Sequence, residues 1–235
     1  MAQILIHNNK IYKKNCLITM VDENVTEFIY KIPMNIIFIV KDELKKQEIS
    51  DQRYKHGFRE NSYFIIKPNN ELLYMNDLQY KKIVCNDTYI NIIRGYNKYV
   101  LIQEAIKLNP FDSTHFGYIK ADFKQHIPEN INLIVMSLSE KLRIGLFNRL
   151  ITYNPKSINF YNYNKDMLDT NFFTGSKDNM IKFLELFINE LTLVLIGDLL
   201  PREDQIVAQV IFKNNEHFEL FWSNTYDDIL TRWMP

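Results

Sequence analysis

Glycine is scarce in this chain, with six among 235 residues. No Gly-rich phosphate loop of the Walker or Rossmann kind can be found, so kinase-like and dehydrogenase readings fall away. A serine hydrolase is disfavoured too, because the Gly-x-Ser-x-Gly elbow is missing. Cysteine is scarcer still: Cys16 and Cys85 stand alone, fit neither a metal spacing nor a disulfide framework, and are expected as buried free thiols in a reducing compartment. The five histidines are far apart and lack ligand spacing, which argues against a dedicated zinc site. No run approaches the roughly 20 apolar residues that span a bilayer. The longest candidate, Phe183–Leu200, is interrupted by Glu185, Asn189, Glu190 and Asp198. Met1–Lys14 carries a four-residue apolar run and no small-residue cleavage site, so no signal peptide is expected. Excess charge is also missing, since 28 basic and 28 acidic residues cancel. A general nucleic-acid binder with a long phosphate track is therefore disfavoured, while one local phosphate site is not. The expectation is a soluble, cytoplasmic protein.

What is present is apolar and aromatic: 46% of residues are hydrophobic and 14% aromatic, enough for one large core. One α/β domain over 1–235 is the economical reading. Ile, Asn and Lys supply 78 residues, a bias typical of AT-rich coding, as in large DNA viruses and AT-rich bacteria. The 14 Tyr and 16 Phe suit sugar stacking and core packing equally.

The run Asn35–Val40 is continuous, β-branched and aromatic, and the charged stretch Lys41–Glu48 follows it, so a buried strand feeding a surface helix is predicted. Ser62–Ile66 repeats the strand signal and Pro68–Asn70 closes it with turn chemistry. A helix is predicted over Tyr96–Leu108, ending before Asn109-Pro110, then a strand over Phe116–Ile119 that delivers Lys120, Ala121 and Asp122 into a loop. Ligands of open α/β sheets sit beyond the carboxyl ends of strands, so this loop is where chemistry is expected. Further strands are read at Asn132–Met136, within 155–169, at Asn171–Ser176 and at Phe218–Trp222. Helices are read at Met180–Leu191, capped by Ser176–Asn179, and from Pro201 onward, after a break at Gly197-Asp198.

Three motifs could carry chemistry, and each has a plainer explanation. Glu203-Asp204 lies in the first turn of a helix, where acidic side chains gain roughly 0.3–1 kcal/mol each from the helix dipole. In a cleft, the same carboxylates could accept a proton or orient an acceptor. Thr174-Gly175-Ser176 reads as a glycine-permitted turn with a serine cap, or as close backbone approach to a sugar or phosphate. Lys120 and Asp122 read as a surface ion pair, or as an ammonium against a diphosphate with Asp122 orienting it or joining a metal shell. A hydrolase built on Glu203-Asp204 is set aside, because no motif places a second carboxylate opposite the pair.

Taken in order, the motifs resemble a family. Lys98, then Leu101–Phe111 with its Asn-Pro-Phe ending, then Thr114–Ile119, are similar to the HtrL/YibB-like proteins. Phe172–Ser176, Met180–Phe187, Glu203–Gln205 and Phe218–Tyr226 continue in the family's order. The resemblance implies a GT-A-like α/β domain with a mostly parallel central sheet flanked by helices. It also implies transfer of a sugar from a nucleotide-sugar donor to a glycan or other hydroxyl acceptor. Carried over by position, Tyr118 matches the aromatic residue of the strand-end motif, Lys120 falls on its acidic residue and Asp122 on its glycine. Ser223–Tyr226 stands where Gly-Asp-Tyr is expected.

On this resemblance Lys120, Asp122, Thr174, Gly175 and Ser176 would bind donor, and Glu203 or Asp204 would act as base or orient the acceptor. The acid that would hold Mn²⁺ or Mg²⁺ is replaced by Lys120. Lys120 substitutes for the metal, or Asp122 rebuilds a shifted metal site, or donor binding is lost. The last case leaves a non-catalytic relative acting as a glycan-binding or scaffolding module.

Overall fold

A computed structural model describes residues 15–22, 24–73, 82–83, 88–123, 141–146, 168–197 and 199–222. Its strands are β1 (Asn15–Val21), β2 (Asn35–Val40), β3 (Ser62–Ile66), β4 (Lys82–Ile83), β5 (His115–Ile119), β6 (Leu142–Leu146), β7 (Leu168–Ser176), β8 (Leu199–Leu200) and β9 (Phe218–Trp222). The described α-helices are α1 (Glu27–Lys31), α2 (Glu43–Lys55), α3 (Tyr89–Leu108), α4 (Lys177–Leu195) and α5 (Glu203–Lys213). Seven strands form one sheet in the order β3-β2-β1-β5-β7-β6-β9, and β4 pairs with β8 separately. Among the described strands of the large sheet β7 alone is antiparallel to its neighbours. The expected class, an α/β fold with a mostly parallel sheet flanked by helices, is what the structure has.

Both faces of the sheet are covered, and alternate side chains sort between them. Cys16, Ile18, Ile37, Ile39, Phe116 and Phe173 pack in one cluster with Ile93, Tyr96, Ile102, Phe183, Phe187 and Val207 of α3, α4 and α5. Leu17, Val21, Ile36, Phe38, Val40 and Phe172 face the other way, onto Ile29, Tyr30 and Ile49 of α1 and α2.

The second cluster is fastened by a buried arginine. Arg53 of α2 has no exposed surface. Its guanidinium donates to the carbonyls of Tyr30, Ile32, Met34 and Asn61 and to the Ser62 hydroxyl, and lies 4.9 Å above the Phe58 ring. Burial pushes its pKa down to about 9, and five acceptors hold the charge that burial disfavours. These carbonyls come from the end of α1, the turn before β2 and the approach to β3, so one side chain fixes how α1 and α2 meet the sheet.

Several sequence expectations change. β1, at the centre of the sheet, is not predicted, because Asn15, Cys16 and Thr19 interrupt its apolar run. α3 begins seven residues before the predicted Tyr96, capped by Thr88, whose hydroxyl accepts from Asn91 N. Its buried face is Ile92, Ile93, Tyr96, Tyr99, Ile102 and Ala105, while Leu108 is exposed. Pro201 is not at the first helical position: α5 starts at Glu203 with Arg202 as its N-cap. The strands β6 and β8 were not anticipated either, whereas β2, β3, β5 and β9 match. The predicted strand at Asn132–Met136, most of the segment at 155–169, Cys85 and Ser223–Tyr226 lie outside the described residues. Cys16 is buried and free, with burial pushing its thiol pKa up.

Replacing Arg53 with Met should lower unfolding free energy by on the order of 3 kcal/mol, since several buried carbonyls lose their donor. Arg53→Lys should rescue little, because an ammonium lacks the planar fork. Urea unfolding reads both variants; a loss under about 1 kcal/mol for Arg53→Met would mean that solvent or neighbouring groups replace the donor.

Candidate functional site

The strand order fixes where a cleft can form. From β1 the chain moves outward through β2 to β3, and β5 then returns to the other side of β1. The connections from β1 and β5 therefore part at their carboxyl ends, the position where open α/β sheets bind ligands. A cleft of about 560 Å³ lies there. Asp22 and Asn24 follow β1, Lys120 and Asp122 follow β5, and one face of α3 contributes Asn91, Arg94, Gly95 and Lys98 at helical spacing. Thr170 and Asn171 of β7 and Arg202–Asp204 at the start of α5 complete the wall.

Backbone bonds hold the mouth together. Thr26 N donates to Ala121 O at 2.9 Å, and its hydroxyl to Phe123 O at 3.0 Å, joining the segment after β1 to the one after β5. Lys120 N donates to Asn171 O at 2.9 Å. The β6–β7 register shifts between Ile144, opposite Phe173, and Gly145, opposite Asp169. Residues 170–172 are therefore freed from the β6 ladder, which aims Thr170 into the cleft; bulges commonly re-aim side chains this way.

At the base of the cleft the Lys98 ammonium donates to Glu203 Oε1 and, at 3.2 Å, to the Thr170 carbonyl. Oε1 also accepts from the Thr170 hydroxyl at 2.6 Å. Lys98 lies 4.9 Å and 5.1 Å from the ring centres of Tyr99 and Tyr118, so two aromatic rings flank it. Glu203 Oε2 is buried without a hydrogen-bond partner among the described residues. It lies against Gly95, where an added Cβ would come within 2.8 Å of it. The Tyr96 hydroxyl donates to the Pro201 carbonyl, tying α3 to the approach of α5. Burial, reinforced by Glu203, raises the hydroxyl pKa of both Tyr99 and Tyr118 well above the ordinary phenol value.

The sequence-predicted residues divide. Glu203, Asp204, Lys120 and Asp122 share the cleft. Asp204 is clamped by Arg202 through two hydrogen bonds of 3.0 Å, which marks it as part of the wall. Lys120 and Asp122 meet on a turn rather than an extended strand, with Nζ 3.2 Å from Oδ2 and both side chains about half exposed. Thr174, Gly175 and Ser176 are not brought to the cleft. Ser176 and Gly175 pair with His115 and Phe116 at the opposite end of β5, roughly 13 Å from the mouth at strand rise. Ser176 caps α4 by accepting from Asn179 N at 3.3 Å, and Thr174 is buried. Asp22, Arg94, Gly95, Thr170 and Arg202 are not found from sequence; Gly95 lies inside α3 only because the helix starts at Tyr89, before the predicted Tyr96.

A divalent cation fits these residues poorly. Asp122, expected as a ligand, carries an ammonium beside it, and among the described residues no three His, Cys, Asp or Glu side chains gather as a metal shell. Among the described residues no helix is long and apolar enough to cross a membrane.

No protein-family model matches the chain, and no curated protein matches it in sequence. Among solved structures the chain is similar to the apo form of mouse xyloside xylosyltransferase 1, at 9% identity and a TM-score of 0.47, over 88% of this chain and 84% of that one.

Gly95→Ala should lower stability by about 1–2 kcal/mol although alanine is the better helix former, because the Cβ displaces a carboxylate held by Lys98 and Thr170. In a Glu203→Ala background the sign should reverse, giving a gain of up to about 1 kcal/mol. A double-mutant cycle by urea unfolding measures this; equal effects in both backgrounds would break the link between the residues.

The tyrosines give a pH test. Above pH 10 the unfolded chain loses phenolic protons that the fold retains, so stability falls as pH rises, approaching about 1.4 kcal/mol per pH unit for each tyrosine. Tyr99→Phe should reduce the proton uptake linked to folding by about one half at pH 10, rising to about one at pH 11.5. An unchanged slope would mean that Tyr99 ionises as freely in the fold as out of it.

Proposed function

We propose that this chain is a GT-A-like glycosyltransferase that binds a nucleotide sugar and passes the sugar to a hydroxyl group on a glycan or other acceptor. The observation that carries the reading is the position of the cleft, outside the carboxyl ends of β1 and β5 where the strand order diverges. The cleft is large enough for a nucleotide-sized ligand. Cations face it from three elements: Arg94 on α3, Lys120 after β5 and Arg202 before α5. The HtrL/YibB-like resemblance is consistent with this reading and belongs with the proposal.

In this reading the donor diphosphate meets the basic groups at the mouth, and the sugar lies deeper, toward Lys98 and Thr170. Glu203 acts as a positioning residue. One of its oxygens is shared by Lys98 and Thr170 and the other is enclosed against Gly95, so neither is presented to an acceptor proton. By holding Lys98, it fixes a hydrogen-bond donor and a positive charge at the floor of the cleft, where the sugar is oriented for transfer. Thr174–Ser176 have no part in this site.

A thermal-shift panel of nucleoside diphosphates and nucleotide sugars, each with and without Mn²⁺, tests the reading. A ligand at about a hundred times its dissociation constant adds about 2.7 kcal/mol, or roughly 5–10 °C for a chain this size. Glu203→Gln should then cut sugar transfer at least tenfold while leaving nucleotide affinity within about threefold. Equal loss of both would assign Glu203 to donor binding instead. A second reading, a non-catalytic glycan-binding or scaffolding relative, draws on Lys120 at the strand end where the resemblance expects an acid. It takes over if no nucleotide shifts the melting temperature and a glycan does.

A further inference from the structure

The charge pairs of the cleft fall into two kinds. Lys98–Glu203 and Arg202–Asp204 are largely buried, and hydrogen bonds hold them in the wall. Arg94–Asp22 and Lys120–Asp122 lie at the mouth: Arg94 Nε is 3.5 Å from Asp22 Oδ1, and Lys120 Nζ is 3.2 Å from Asp122 Oδ2. The Asp22, Lys120 and Asp122 side chains are each 45–50% exposed, and Arg94 is 23% exposed. A half-exposed pair such as Lys120–Asp122 is held weakly in water and can exchange partners at small cost, and Asp22 can leave the more buried Arg94 toward solvent. Asp22, Lys120 and Asp122 belong to the two segments that Thr26 ties together, Arg94 reaches Asp22 from α3, and both cations line the same cleft.

We infer that Arg94 and Lys120 bind the donor's diphosphate directly, releasing Asp22 and Asp122, and that donor binding needs no divalent metal ion. This rests on the glycosyltransferase reading and deepens it. The mouth offers two carboxylates, each beside a cation, and this set disfavours a doubly positive ion at either. The same set suits an anion, which takes the place of each carboxylate against a guanidinium and an ammonium already in position. Arginine matches phosphate oxygens with its planar fork, and lysine supplies a mobile point charge. The two aspartates keep the cations paired while the cleft is empty.

The test is calorimetric titration of the full chain with UDP, GDP, CDP and ADP, and with inorganic pyrophosphate, first in excess chelator and then with Mn²⁺ or Mg²⁺. The expected result is that at least one nucleoside diphosphate binds in chelator with an affinity within about threefold of that with metal. Lys120→Ala and Arg94→Ala should each weaken that binding tenfold or more, and pyrophosphate should compete. Lys120 is half exposed, so its removal should leave the melting temperature of the free protein unchanged. Binding that appears with metal alone overturns this inference and leaves the glycosyltransferase reading standing. Metal-free binding that neither substitution weakens also overturns it. No binding of any nucleoside diphosphate under either condition rejects the glycosyltransferase reading itself.

Discussion

Three elements meet on one carboxylate. Glu203 starts α5, Lys98 lies on the inner face of α3, and Thr170 sits in the irregular stretch of β7, and a single oxygen of Glu203 joins all three. The walls of the cleft are pieces of chain separated by long stretches of sequence. Together with the Tyr96–Pro201 bond, this contact sets the distance between the two helices at the base of the cleft. The arrangement depends on Gly95, since any side chain there would occupy the space of the second oxygen. It depends equally on the β6–β7 shift, because a regular ladder would leave Thr170 paired with β6.

The fixed pairs at the base and the looser pairs at the mouth have different physical characters. A buried ion pair is often no more stabilising than an apolar substitute, because desolvation offsets the attraction, but losing one partner is costly. Such a pair is good at holding geometry. A half-exposed pair contributes little to stability, and its members can be drawn to a new partner. The cleft thus has a rigid floor and an adaptable rim while carrying little net charge. That balance also fits the overall neutrality of the chain, which gives no long basic track for nucleic acid.

The sequence exposed the parts of the fold that satisfy a simple periodicity. After its first residue β2 is an unbroken apolar run, Ile36–Val40, buried on both faces, and β3, β5 and β9 carry alternating or aromatic signals of strand length. β1 was illegible because a central strand can bury Asn15 and Thr19, and polar residues break the pattern by which buried strands are read. That strand decides where the topology diverges, so its loss hid the reason for the cleft's location while leaving the loop after β5 visible. Thr174–Ser176 misled for the opposite reason. A glycine between two hydroxyl residues resembles a ligand turn, but here a strand runs directly into a capped helix. Lys120 and Asp122 were found because strand ends carry ligands in this class of sheet. Arg94 and Arg202 were not, because nothing in their local sequence separates them from surface charge.

The two readings of Glu203 made from sequence, dipole complement and site residue, are compatible, and magnitudes show what the second adds. A carboxylate in the first turn of a helix gains roughly 0.3–1 kcal/mol from the dipole. Glycine inside α3 costs about 0.8–1 kcal/mol relative to alanine. These terms nearly cancel, so the dipole alone gives no stability reason to keep Glu203 against Gly95. What the pairing secures is position: an ammonium enclosed by two aromatic rings, fixed by a carboxylate and a carbonyl, with its charge kept inside a cleft rather than in water. An interaction that breaks even in stability while fixing one charge in a ligand-sized cavity is better explained by what the charge does for a ligand than by what it does for the fold.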